Sequence, residues 1–146
     1  MHRDRRIMAV LVLAIASGCG RALPETAPVE GRVTIAGQPL KTGTIMFFPT
    51  QGRPAIGVID PDGVYRLTTF VENDGAVLGS HAVTIQADEV IGGVKPTSYA
   101  DENIGVGAGE LRHLVPINYG DRDTSGLTAQ VVAQPEPNRI DFDLHK

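Results

Sequence analysis

The chain has 146 residues, 42% of them hydrophobic, with 17 glycines, 10 prolines and a formal net charge of −4. That length and composition suit one domain with its own core, and so much glycine and proline favours turns over long helices. Tryptophan is absent, aromatics make up 5%, and no Lys/Arg cluster offsets the acidic balance, which argues against stacking platforms for sugars and against a nucleic-acid interface.

Arg3, Arg5 and Arg6 precede an apolar run, Ile7 to Ala16, and the small residues Ser17 and Gly18 follow it. This three-part order reads as a signal peptide over residues 1–18. The run falls short of the roughly 20 apolar residues that a permanent membrane-crossing helix needs. Losing three arginines and one aspartate with it takes the formal net charge from −4 to −6. Cys19 is the only cysteine, so an internal disulfide is impossible.

Ala16-Ser17-Gly18-Cys19 resembles the lipobox of bacterial lipoproteins, with Ala16 where leucine is usual. The resemblance implies cleavage between Gly18 and Cys19, a diacylglyceryl thioether on the Cys19 sulfur, and acylation of the new amine by a fatty acid such as palmitate. Several acyl chains together anchor a protein durably to a membrane, whereas one is marginal. Gly20, in place of an acidic residue, implies sorting to an outer membrane where two membranes exist, with the domain facing the periplasm or the cell exterior. An ordinary secretory signal with an incidental cysteine is the alternative.

Residues 19–28 lack periodicity and contain Pro24 and Pro28, so they read as a lipidated cysteine and flexible tether. The domain then runs from 29 to 146. Val29–Ile35 alternates apolar or small residues with polar ones, the pattern of a half-buried strand. Thr44–Pro49 is a short apolar strand closed by proline. The stretch Asp60-Pro61-Asp62-Gly63-Val64-Tyr65 predicts a hairpin turn: Pro61 presets a type I turn, Asp60 and Asp62 favour it, and Gly63 supplies the left-handed position. Strands are expected on both sides, at Ile56–Ile59 and Val64–Thr69. Ser80–Ala87 alternates again, with His81, Val83 and Ile85 on one face. Residues 88–112, rich in glycine, show no period and read as a long loop, either mobile or functional. Order returns at Leu114–Tyr119. Leu127–Val132 and the alternating Ile140–Leu144 complete about seven short strands, with no helix among them. The fold class expected is all-β, a single β-sandwich.

The order Val29-x-Gly31-x-Val33-Thr34, Gly37-x-Pro39-Leu40, Ile45-x-Phe47-x-Pro49, Asp60-x-x-Gly63-x-Tyr65-x-Leu67 and Gly79-x-His81-x-Val83-x-Ile85 resembles the carboxypeptidase-regulatory-like domains. These are transthyretin-like (prealbumin-like) sandwiches. The closing run from Val115-Pro116 through Thr124-Ser125-Gly126-Leu127 to Asn138-x-Ile140-Asp141-Phe142-Asp143-Leu144 is similar to the end of small bacterial lipoproteins that carry such a domain. The resemblance covers residues 28–144 apart from the 88–112 stretch. It implies a fold and a mostly non-catalytic accessory role.

Candidates for chemistry are few. His81 lies on a core-facing strand side, at a position where this family often has an aromatic, and reads first as packing. His113 and Tyr119 flank Pro116, and with His81 they form the one constellation an enzyme or ligand site would draw on. The related intradiol dioxygenases bind iron through two tyrosines and two histidines, but their closely spaced histidine pair is missing here. Hydroxyisourate hydrolases end in a Tyr-Arg-Gly-Ser that has no counterpart in this chain. Ser80, Ser98 and Ser125 lack a nucleophile-elbow context. Asp60/Asp62, Glu72/Asp74, Asp101/Glu102 and Asp121/Asp123 offer oxygen ligands for calcium without EF-hand spacing, and each pair reads more simply as a solvated turn. No metal or cofactor is expected; the partner expected is the membrane, through the lipid on Cys19, with an envelope-protein or cell-wall partner left open. The reading is a lipid-anchored, non-catalytic envelope module with a binding or structural role. A transthyretin-like carrier of a small ligand, and an enzyme using His81, His113 and Tyr119, are the alternatives.

Overall fold

The computed structural model describes residues 22–92 and 109–146. The expected signal segment with Gly18, the expected lipidation site Cys19 and the centre of the 88–112 stretch lie outside the described residues. The strands in chain order are β1 (Thr26–Ala27), β2 (Val29–Ile35), β3 (Gln38–Pro39), β4 (Gly43–Pro49), β5 (Ala55–Ile59), β6 (Val64–Arg66) and β7 (Ala76–Val77). They continue as β8 (Gly79–Gln86), β9 (Asp88–Ile91), β10 (Glu110–His113), β11 (Leu127–Val131), β12 (Asn138–Arg139) and β13 (Phe142–Leu144), with a 3₁₀ helix at Ile117–Gly120.

Two sheets make an all-β sandwich. One has the order β11-β8-β4-β5, all antiparallel. The other is built around β2, with β6 and β3 antiparallel to it and β12 and β13 parallel to it. Alternation decides which side chains meet between the sheets. From the β2 sheet come Val33, Tyr65, Phe142 and Leu144; from the other come Ile45, Phe47, Ile59, Val83, Ile85 and Val131, all buried. The Phe47 ring bridges the two layers, edge-on to Phe142 with centroids 6.1 Å apart and tilted against Tyr65 at 6.3 Å.

The sandwich has two ends. At one lie β1, the loop after β6, β7 and the loop between β11 and β12. At the other lie the Asp60–Gly63 turn, the 3₁₀ helix and the β9–β10 ribbon.

Two segments differ from the sequence reading. Order begins at Thr26, inside the expected tether: β1 pairs with β7, Ala27 is buried, and the Leu78 N–H donates to the Glu25 carbonyl. Two residues are too few to show a period. Next, the expected 88–112 loop has paired ends, because β9 and β10 form an antiparallel ribbon from Asp88↔His113 to Ile91↔Glu110. Most of its residues are exposed on both faces, so no apolar alternation announces it. Leu114–Tyr119, where order is expected to return, runs through Pro116 into the 3₁₀ turn.

Candidate functional site

The Asp60–Gly63 turn takes the expected form. The Gly63 N–H donates to the Asp60 carbonyl at 2.9 Å, and Asp60 Oδ1 accepts from the Asp62 N–H at 2.9 Å and the Val64 N–H at 2.8 Å. Gly63 has φ +78. Its carbonyl accepts from the Val33 N–H at 2.8 Å, so the turn is tied to β2.

Two residues on, Tyr65 is buried and donates its hydroxyl proton to the Ile140 carbonyl at 2.6 Å. Burial, with the Asp141 carboxylate adding to it, pushes this phenol well above the ordinary tyrosine range. Gly31, the register partner of Tyr65, makes this possible: a β-carbon there would fall 1.8 Å from the Ile140 carbonyl oxygen. Gly31, Tyr65 and Ile140 thus form one clamp that joins β6, β2 and the closing strand.

Most other polar side chains singled out serve the backbone. Asp74 accepts the N–H groups of Thr69 at 2.6 Å, Phe70 at 2.9 Å and Val71 at 3.1 Å. Burial alone would raise its pKa; these backbone donors outweigh burial and lower it. Asp121 Oδ1 caps its own turn through the Asp123 N–H at 2.7 Å. Buried Ser125 donates to the Val83 carbonyl at 2.6 Å, which is strand anchoring, not nucleophile activation. Among the described residues no three His, Cys, Asp or Glu side chains cluster as metal ligands would.

The structure places the three ligand candidates apart. His81 is buried against Phe47, with ring centroids 5.6 Å apart, and its Nε2–H donates to the Val77 carbonyl at 2.7 Å. This leaves Nδ1 a buried acceptor without a partner among the described residues. His113 sits half-exposed on β10, with Nδ1 2.5 Å from the Asp88 carboxylate. Asp88 is seven residues beyond His81, roughly 23 Å at the ordinary strand rise, so the two histidines occupy opposite ends of the sandwich. The Tyr119 hydroxyl accepts the His145 N–H at 3.3 Å, near the His113 end. The approach of His113 and Tyr119 to His81 that the enzyme alternative requires does not occur.

Asn138 is the residue that sequence reading missed. It is buried; its Oδ1 accepts the Val132 N–H at 3.0 Å, and its amide donates to the Val132 carbonyl at 2.9 Å and the Pro28 carbonyl at 3.3 Å. Pro135-Glu136-Pro137-Asn138 has the composition of a turn, which does not reveal that the asparagine side chain closes it.

Between the sheets the space is filled by Tyr65, Phe47, Ile45, Leu67 and Ile85, each less than 2% exposed. The hollows lie outside that core. One of about 590 Å³ opens between β5 and β6, beside Val58 and Arg66. Another of about 770 Å³ lies on the outer face of β8 and β11, where Arg122 stacks on Phe48.

Comparison with family profiles, with curated proteins and with solved structures finds no match to this chain. The class its fold defines is a small all-β sandwich.

Proposed function

We propose that this chain is a lipid-anchored, non-catalytic β-sandwich module of the cell envelope, of the carboxypeptidase-regulatory-like kind, with a binding or structural role. Cys19 carries the lipid, the residues up to Pro24 form the tether, and the sandwich is the working part. The observation that carries the non-catalytic half is the separation just described. His81 bonds the Val77 carbonyl at one end while His113 pairs with Asp88 at the other. Catalysis needs a nucleophile, base or acid converging on one site. Here Asp60, Asp74, Ser125 and Asn138 direct their polar atoms to backbone groups of their own framework.

The anchored half rests on the lipobox resemblance. Growth of the native cell with a labelled fatty acid should tag the wild type and leave Cys19→Ser untagged and unprocessed. Equal labelling of both overturns it.

A further inference from the structure

From the fold and the tether together we infer that the end of the sandwich bearing β1 sits on the bilayer, with Val71 and Val132 in contact with its lipid. The inference rests on the lipid-anchor reading and adds to it a docking face. Its first support is reach. The Leu78 N–H holds the Glu25 carbonyl at 3.2 Å, so the domain's hold on the chain begins at Glu25. Six residue steps separate Cys19 from Glu25, at most about 22 Å when fully extended. The β9–β10 ribbon lies a further strand length away, roughly 20 Å or more.

The second support is what surrounds the point of attachment. Two loops flank Ala27-Pro28. On one side Gly75 packs against them so closely that a β-carbon there would lie 1.8 Å from the Ala27 carbonyl oxygen. On the other side Asn138 bonds the Pro28 carbonyl through both its backbone N–H and its side-chain amide. Each loop exposes an apolar side chain: Val71 is 69% exposed and Val132 44%, while Leu23 on the chain leading in is 67% exposed. Both loops are also held firmly, by the Asp74 carboxylate in one and the Asn138 side chain in the other, so the two valines keep their places. Glu72 and Glu136 beside them offer no attraction to anionic headgroups. The contact therefore depends on the acyl anchor, which raises the local concentration of lipid at this end alone.

Other apolar side chains are exposed on the ribbon, Val90 and Leu111 among them, but they lie a strand length from the point of attachment. This contrast makes the inference testable. The chain has no tryptophan, so one introduced residue is the sole indole reporter. Val71→Trp, Val132→Trp and Val90→Trp are made in the full lipidated protein. Each is reconstituted into vesicles of phosphatidylethanolamine and phosphatidylglycerol whose acyl chains are brominated. Unchanged melting temperatures show that the exposed substitutions leave the fold intact. Expected is loss of fluorescence at positions 71 and 132 and no loss at 90. Vesicle-bound, acylated protein that is unquenched at 71 and 132, or quenched equally at 90, overturns the docking face and leaves the anchor standing. Protein whose N-terminal peptide has the mass of an unacylated cysteine overturns both.

Discussion

A side chain at position 63 meets two obstacles. The backbone there is left-handed, at φ +78, and a β-carbon would lie 2.6 Å from the Val33 carbonyl oxygen. Backbone strain of this kind costs about 1–3 kcal/mol, and the collision adds to it. Gly63→Val should lower the melting temperature strongly. Gly63→Asn separates the two causes: asparagine tolerates positive φ but still meets Val33, so it should remain clearly less stable than wild type. A wild-type melting temperature for the asparagine variant would remove the contact with Val33 from the account. Tyr65 carries the other local prediction. Its raised pKa means that the folded state favours the neutral phenol. That stability is fully present below the unfolded value of about 10 and is lost as pH rises above it. Tyr65→Phe should cost about 0.5–1.5 kcal/mol, because the part-buried Ile140 carbonyl loses its donor. The variant should also show a shallower fall of stability above about pH 10. Parallel alkaline limbs in chemical denaturation would contradict the assignment.

The elements differ in how legible they were, and burial explains the difference. β2 and β8 each bury one face, so Val29–Ile35 and His81–Ile85 alternate visibly. The β9–β10 ribbon buries neither face, and two of its four cross-strand pairs join polar side chains: Glu89 with Arg112, and Asp88 with His113. Exposed pairs of this kind contribute at most about 1 kcal/mol each, and they leave no pattern that distinguishes a ribbon from a loop. β1 is fixed by contacts with residues some fifty positions away, at Ala76 and Val77, and a two-residue segment carries no signal of such pairing. The loop between β11 and β12 depends on a single side chain. Asn138→Ala removes bonds to both the N–H and the carbonyl of Val132. Each lost hydrogen bond of this part-buried kind costs about 0.5–1.5 kcal/mol, so the variant should melt below wild type, and amide exchange should quicken at Val132. Unchanged exchange at Val132 would mean that the loop closes without it.

Across the whole molecule, the fold class was readable because glycines and prolines stand where turns require them. The arrangement of the histidines was not. His81, His113 and Tyr119 were grouped by residue type and by Pro116 lying between two of them. Only the path of β8 through the sheet shows that its two ends lie about 23 Å apart. The same path gives the molecule a polarity, with β1 and the two loops that flank it at one end, and the exposed ribbon at the other. The proposed module works through that anchored framework and not through imidazole chemistry. Complementation tests this most directly. In a strain lacking the protein, the envelope defect is scored after supplying wild type, Cys19→Ser, or the double variant His81→Phe with His113→Ala, each checked for native melting. The account predicts that the folded histidine variant restores the wild-type envelope and that Cys19→Ser does not. Restoration by Cys19→Ser, with failure of the folded histidine variant, would contradict it.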